Sequence, residues 1–201
     1  MFDISIRKRL NSFTLDAKLK DEGFICVTGV NGSGKTSLLL SIAGFYTIDE
    51  GYINIGGGDV SRLPIHKRRI VLVNQETHFP EMKVETHLLW GARSRHFRVT
   101  EEEVAEVRLR LGISFRGKVR ELSQGQKQKL SIATAILSKP KMILVDEAFS
   151  AISDRETFVA NFRTISSDRK IDVIYTSPEL EGKLLADHCY KMEQGVTRRL
   201  F

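Results

Sequence analysis

The sequence predicts an α/β fold with a mostly parallel sheet covered by helices. Short apolar runs bounded by turn residues alternate with helical stretches, the pattern of parallel strands joined by crossover helices. The 201 residues, 41% of them hydrophobic, are enough for one domain with a sizeable core. Residues 80–138 break the alternation, because they hold few strand signals and three helical stretches. We therefore expect one domain over residues 1–201, with a helical subdomain inserted at about 80–138.

Local residue patterns place the individual elements. Apolar runs bounded by turn residues predict strands at 24–29, 51–55, 70–73, 142–146 and 172–176, with two closing strands around Gly195. Apolar residues at helical spacing predict helices at 35–44, 84–93, 100–112 and 123–137, one from about 154 and a short one after 176. The helix at 100–112 begins with Thr100, a capping residue, and three glutamates that suit the positive end of the helix dipole.

The longest apolar runs are the size of strands. The runs at 70–73 and 142–145 are far shorter than the ~20 residues that a helix needs to cross a bilayer. The opening MFDISIRKRL turns basic after a few residues and therefore lacks the apolar segment of a signal peptide. The only cysteines, Cys26 and Cys189, are far apart in sequence and form no disulfide framework. We expect a cytoplasmic protein.

The net charge of +6 raises the question of an anionic partner. Basic residues cluster at 66–69 and at Arg93, Arg95, His96 and Arg98. Such clusters could suit nucleic acid or an anionic membrane face. They are short and carry no interleaved aromatic pattern, which favours solvated turns and helix ends, and we expect no nucleic-acid partner.

The strongest chemical signal is GVNGSGKT at 29–36, which fits G-x-x-x-x-G-K-[ST] between a predicted strand and a predicted helix. Glycines allow a tight loop whose backbone N–H groups point at phosphate oxygens, and the helix N-terminus adds a favourable dipole. Lys35 can then reach the β- and γ-phosphates, while the Thr36 hydroxyl can ligate Mg²⁺. The predicted cofactor-binding residues are Gly29, Asn31, Gly32, Ser33, Gly34, Lys35, Thr36 and Ser37.

A second signal is MILVDE at 142–147, an apolar strand that ends in two acidic residues. This pattern places Asp146 beside the metal and Glu147 where it could orient or deprotonate an attacking water. The pattern is common at strand ends. It is strong evidence for a nucleotide site here, because the chain also contains the motif at 29–36, which is known as a P-loop.

The third signal is LSQGQKQKL at 122–130, which resembles the signature of ATP-binding cassette (ABC) ATPases, usually LSGGQ. The motif order agrees, and the resemblance covers nearly the whole chain. It implies a P-loop NTPase core with an antiparallel β subdomain and an inserted α-helical subdomain. Importer cassettes often continue into a C-terminal regulatory domain, which we do not expect here because the sequence stops at Phe201. Gln75, at the end of IVLVNQ, matches the family's Q-loop glutamine, which contacts Mg²⁺ or the attacking water.

The resemblance also implies partners. Ser123, Gly125 and Gln126 would clamp the γ-phosphate of ATP bound to a second subunit, either another copy or a paralogous cassette. The helical subdomain would face a transmembrane permease, which would place the chain on the inner face of the cell membrane. Residues 63–84 resemble the corresponding segment of importer cassettes of the sulfate, molybdate and tungstate type. An ATPase subunit of an importer is therefore the predicted function.

At some positions the residue differs from the one usual in the family. The family's switch histidine falls on Ser177, in VIYTSPEL at 173–180, and Gln124, Ala148 and Ser153 also replace usual residues. We expect ATP binding to survive and hydrolysis to be slow, unless a neighbour such as Thr176 or a loop of the partner subunit supplies a hydrogen bond.

Phe13 is the candidate for stacking on adenine, with Phe2 as runner-up, although either could be a core residue. Two alternative functions remain. One is a degenerate cassette that binds ATP as a clamp with little turnover. The other is a soluble ABC protein that acts on nucleic acid or ribosomes.

Overall fold

The computed structural model describes residues 1–11, 13–147, 149–178 and 185–201. Its strands are β1 (Phe2–Arg9), β2 (Thr14–Asp21), β3 (Phe24–Thr28), β4 (Glu50–Ile55), β5 (Gly58–Asp59), β6 (Ile70–Val73), β7 (Met142–Val145), β8 (Asp172–Ser177), β9 (His188–Glu193) and β10 (Val196–Arg199). Its α-helices are α1 (Lys35–Ala43), α2 (Val84–Ser94), α3 (Glu101–Arg110), α4 (Gln124–Leu137) and α5 (Arg155–Asp168). Short 3₁₀ helices lie at Ile65–Lys67 and Val119–Glu121.

All of these strands belong to one sheet, in the order β5-β4-β1-β2-β10-β9-β3-β8-β7-β6. The half from β9 to β6 is parallel, and the half from β5 to β2 is antiparallel. Strand β10 joins the halves, because it runs antiparallel to β9 and parallel to β2. The predicted α/β fold with a parallel core is confirmed.

The first two strands were not anticipated from the sequence. In β1 the side chains of Phe2, Ile4 and Ile6 are buried, and intermediate or exposed ones lie between them. Strand β2 repeats the pattern with Leu15, Ala17 and Leu19. This period of two is the signature of a strand with one buried face. The pattern was present in the sequence, although charged residues on the outer face obscured it.

The sheet separates two apolar clusters. Strand β3 is buried along its whole length, with Phe24 and Cys26 in one cluster and Ile25 and Val27 in the other. Helices α2 to α5 contribute to the first cluster, and α1 contributes to the second. Because the central strands are covered on both faces, polar side chains near β3 concentrate at its end, where the chain leaves the sheet.

Helices α2, α3 and α4 lie between β6 and β7 in sequence, as expected. The entry and exit of this segment pair with each other, through a bridge between Lys83 and Lys118 and backbone hydrogen bonds that join 80–84 to 117–120. Thr100 caps α3 in a capping box with Glu103, as the sequence predicts. The bounds of a separate subdomain at 80–138 stay a prediction. Within the described ranges, no helix is long and apolar enough to cross a membrane.

Candidate nucleotide site

The P-loop connects the end of β3 to the start of α1. Gly32 and Gly34 have φ values of 82° and 106°, which side chains other than glycine rarely adopt. Gly29 meets a different constraint, because a Cβ atom there would collide with the backbone carbonyl of Met192 in β9. These glycines fit a loop that needs both tight curvature and close packing.

Lys35 is the only cationic side chain of the loop and is only 5% exposed. Its Nζ donates to the backbone carbonyls of Gly29, at 2.8 Å, and of Val30, at 3.2 Å. It also lies 3.7 Å from Oε1 of Glu147. A buried ammonium held by two neutral carbonyls and one carboxylate is well suited to pair with phosphate oxygens.

The polar residues of the loop differ in solvent exposure. Asn31 and Thr36 are exposed, and Ser37 is half-buried. The Ser33 side chain is buried instead, and its hydroxyl has no hydrogen-bond partner among the described residues. The structure therefore presents the Thr36 hydroxyl at the surface and keeps the Ser33 hydroxyl inside the loop.

Asp146 and Glu147 directly follow β7, where neighbouring strands also end. The Asp146 backbone N–H donates to the carbonyl of Val73 at the end of β6. The Glu147 N–H donates to the Thr176 hydroxyl at 3.0 Å, and this hydroxyl donates to Oδ1 of Asp146 at 2.8 Å. Thr176 is the neighbour that could replace the switch histidine, but its hydroxyl hydrogen is already used on Asp146.

A magnesium ion is compatible with these donors. Mg²⁺ in nucleotide sites is usually held by one or two protein oxygens, with phosphate and water completing the octahedron. Asp146 supplies a carboxylate and Thr36 an exposed hydroxyl. The described residues contain no group of three His, Cys, Asp or Glu suited to an all-protein metal cage.

The two aromatic candidates have different surroundings. Phe2 is 1% exposed and belongs to the core, which removes it as a stacking residue. Phe13 is half-buried, and its ring lies 3.0 Å from where a Cβ on Gly34 would be. Phe13 thus borders the P-loop, and its stacking on adenine stays a prediction.

The signature segment forms the start of α4. Ser123 and Gln126 form a capping box, in which the Ser123 hydroxyl accepts a hydrogen bond from the Gln126 N–H. The side chain of Gln124 donates to the backbone carbonyl of Gln75 at 3.1 Å, so this unusual residue ties the signature to the Q-loop. A Cβ on Gly125 would lie 2.5 Å from the carbonyl of Ala151, which explains the glycine by close backbone packing.

Ser177 ends β8 and pairs in register with Thr28 of β3, the last strand residue before the P-loop. It is therefore placed at the sheet edge that carries the nucleotide motifs. Ala148 lies outside the described residues, and the short helix predicted after 176 lies partly outside them. Asp154, one position after the family's usual aspartate, forms an ion pair with Lys129 of α4 at 2.7 Å.

Two arginines of the basic clusters, Arg68 and Arg95, are packed within the fold, whereas the other members are exposed. Arg68 is buried and donates to the carbonyls of Ser61, Leu63 and Ile42, the last of these near the C-terminus of α1. Arg95 donates to the carbonyl of Ile70 at 2.9 Å. These arginines bond to backbone carbonyls. The prediction of a solvated residue is wrong for Arg68, which is buried.

A groove of about 820 Å³ is lined by residues of α2, α4, β6 and the end of α1. Its aromatic lining residues are partly exposed; they are Phe45, Phe79, Trp90 and Phe97. His87 and Arg95 also line it, and each has one buried nitrogen, Nε2 and Nη1 respectively, without a partner among the described residues. This groove was not identified from the sequence, where its aromatic residues are scattered.

Residues 13–150 match the family model described as ABC transporter. The chain belongs to the ABC transporter family. This membership implies nucleotide binding, and it agrees with the P-loop, the acidic strand end and the signature segment.

Curated relatives in the ABC family are import ATP-binding proteins. The chain is 32% identical over 201 residues to the spermidine/putrescine import ATP-binding protein PotA of Hahella chejuensis, covering 95% of this chain and 54% of that protein. It is 30% identical over 212 residues to the molybdenum import ATP-binding protein ModC of Haemophilus influenzae, covering 98% and 59%. The chain thus spans about half the length of the curated relatives it matches.

Solved ABC structures share the fold. The ADP conformation of an ATP-binding cassette of an ABC transporter has a TM-score of 0.80 and 25% identity, with 98% of this chain and 89% of that chain covered. An ATP-binding subunit of an ABC transporter has a TM-score of 0.82 at 19% identity, covering 100% and 90%, which supports the fold alone.

Proposed function

We propose that the chain is an ATPase subunit of an ABC importer, which binds MgATP, dimerises around it and drives a separate membrane permease. The observation that carries this proposal is the position of Lys35 in the P-loop, 3.7 Å from Glu147. Asp146, the residue before Glu147, is held by a hydrogen bond from Thr176. The similar curated proteins are import ATP-binding proteins, which supports the direction of transport.

The P-loop residues bind the phosphates. Backbone N–H groups at the start of α1 face the nucleotide, and Lys35 turns from its carbonyl partners to the β- and γ-phosphates. Thr36 and Asp146 hold Mg²⁺, with Gln75 as a further contact from its exposed loop. The bound metal neutralises charge that develops on the phosphates.

Glu147 activates the attacking water. In the structure its carboxylate pairs with Lys35. Once Lys35 engages phosphate, Glu147 is released to orient a water molecule and accept its proton. Ser177, at the neighbouring strand end, occupies the switch position with only a hydroxyl.

A second subunit completes each site. Ser123 is exposed at the N-terminus of α4, and its cap uses an acceptor lone pair and not the hydroxyl hydrogen. That hydrogen and the N–H of Gly125 can contact a γ-phosphate presented by another copy or by a paralogous cassette. Gln126 lies beside Ser123 because its side chain accepts a hydrogen bond from the Ser123 N–H in the same capping box.

The groove beside α2 receives the permease. Its aromatic lining suits the apolar face of a helix, and Arg69, Arg95 and His96 give it a basic side. We assign it to an amphipathic helix, with acidic residues, on a cytoplasmic loop of the permease. The permease would hold the chain on the inner face of the cell membrane.

A nucleotide clamp with little turnover is the second candidate function. One observation favours it. Thr176 is the neighbour that could replace the missing histidine, but its hydroxyl already donates its hydrogen to Asp146. The clamp would retain binding and dimerisation and lose most of the hydrolysis.

Nucleotide binding and turnover by the purified chain test the proposal. The parent should bind ATP and hydrolyse it slowly, and Lys35→Ala should abolish binding because the loop loses its only cation. Lys67→Ala, which removes an exposed lysine, is the matched control and should behave as the parent. A folded Lys35→Ala variant that binds ATP as tightly as the parent would refute the phosphate-binding assignment. Binding without measurable turnover would favour the clamp.

A further inference from the structure

Thr176 occupies a position that no motif assigned. It lies next to the end of β8 and is 2% exposed. Its hydroxyl oxygen is 2.8 Å from Oδ1 of Asp146 and 3.0 Å from the backbone nitrogen of Glu147. One buried hydroxyl thus contacts both acidic residues of the candidate site.

The direction of both hydrogen bonds follows from the groups involved. A peptide N–H can only donate, so the hydroxyl accepts from Glu147. An ionised carboxylate can only accept, so the single hydroxyl hydrogen points to Asp146. The hydroxyl is therefore used twice, and its orientation is fixed by chemistry.

The backbone at Glu147 explains why this anchor matters. Glu147 has a φ of 52°, in the left-handed region that a glutamate rarely adopts. The residue before it is held to β6 through the N–H of Asp146 and the carbonyl of Val73. Glu147 itself is held to β8 through Thr176. The acidic turn is thus fixed from both neighbouring strands.

We propose that Thr176 is a positioning residue for ATP hydrolysis, whose hydroxyl holds the Asp146 carboxylate toward the metal and the Glu147 backbone in its turned conformation. The proposal rests on the roles assigned above to Asp146 and Glu147. In this proposal Thr176 acts only through the two acids.

Thr176→Val is the informative variant, because valine keeps the β-branched shape and loses both hydrogen bonds. Thr176→Ser is the matched control, because serine keeps the hydroxyl and loses only a methyl group. If the hydroxyl positions the acids, the valine variant should need ~10–100-fold more Mg²⁺ for half-maximal turnover, or its kcat should fall by ~10–100-fold. Losses of this size are typical when a residue that hydrogen-bonds to a metal ligand is replaced. The serine variant should stay within about threefold of the parent.

Nucleotide affinity provides a readout that does not depend on turnover. Titration with a fluorescent ATP analogue in EDTA gives the metal-free affinity of each protein, which serves as its own reference. The gain in affinity on adding Mn²⁺ should be reduced in Thr176→Val and retained in Thr176→Ser. Thermal unfolding checks that each variant folds, and Thr176→Ala replaces the valine variant if that protein does not.

The outcomes separate the proposals. A folded Thr176→Val protein with the parent's metal dependence and turnover overturns the positioning role and leaves the ATPase assignment intact. Equal losses in the serine and valine variants also overturn it, because the hydroxyl would not be the cause. A parent that binds ATP but never hydrolyses it contradicts the ATPase assignment, while the Mn²⁺ titration still decides the role of Thr176 in metal binding.

Discussion

Glu147→Gln should tighten ATP binding before any chemistry occurs. In the structure the Glu147 carboxylate lies 3.7 Å from the Lys35 ammonium. Phosphate binding must break this ion pair and must also bring a polyanion close to the carboxylate. The glutamine amide has almost the same shape and removes both costs.

The size of the effect follows from the distance. Two unit charges 3.7 Å apart attract by about 1 kcal/mol at the dielectric constant of water and by about 4 kcal/mol at an effective value of ~20. The Lys35 side chain is 4% exposed, but that of Glu147 is 38% exposed, so solvent screens the pair. We therefore expect a gain near the lower limit, about 1–2 kcal/mol, or ~5–30-fold in Kd.

Titration with a fluorescent ATP analogue at low salt, without Mg²⁺, measures this gain. AMP is the control ligand, because it lacks the phosphates that reach Lys35 and should bind both proteins equally. Glu156→Gln is the control variant, because it removes an exposed glutamate from α5. The gain should shrink as ionic strength rises. A folded Glu147→Gln protein that binds ATP no more tightly than the parent would refute the reasoning.

Three further outcomes are expected. Glu147→Gln should sediment as a dimer in saturating MgATP, since the base is lost while the signature clamp remains; a monomer would count against the two-subunit site. Ser177→His should raise ATP hydrolysis, by at most ~10²–10³-fold, with little change in ATP affinity; an unchanged rate in the folded variant would leave Ser177 as a strand-ending residue. Burial lowers the pKa of His87 from 6.5 to about 4, so native His87 binds fewer protons than unfolded His87 between these values. The neutral His87 therefore contributes fully to the free energy of unfolding above pH 6.5. This free energy should fall by about 2 kcal/mol between pH 7.5 and 5. Urea unfolding should show a smaller decrease in His87→Asn, and an equal decrease would contradict the buried, neutral state.

Local chemistry explains what could be predicted from the sequence. The P-loop, the acidic strand end and the cap at Thr100 each depend on residues a few positions apart, so their patterns are visible in a short window. The strand alternation of residues 2–9 was equally local, but its outer-face charges concealed it.

Features that depend on distant residues could not be predicted. The insertion of β10 between β2 and β9 is a property of the whole sheet. The contact between Thr176 and Asp146 requires the register of β7 against β8, which pairs Val145 with Tyr175. Likewise, nothing in the cluster at 66–69 distinguishes Arg68, the one of the four that is buried, from its exposed neighbours.

The position of β3 in the sheet has a consequence for synthesis on the ribosome. This strand leads into the P-loop, yet its hydrogen-bonding neighbours are β8 and β9, and the contact from Gly23 to Asp172 spans 149 residues. Such non-local pairing is slow to form and costs chain entropy before it gives any stability. While residues 172–193 remain in the ribosome, the nascent chain therefore carries its P-loop sequence on an unpaired strand. We expect the ability to retain ATP to arise late in translation, when β8 and β9 emerge and pair with β3 from both sides.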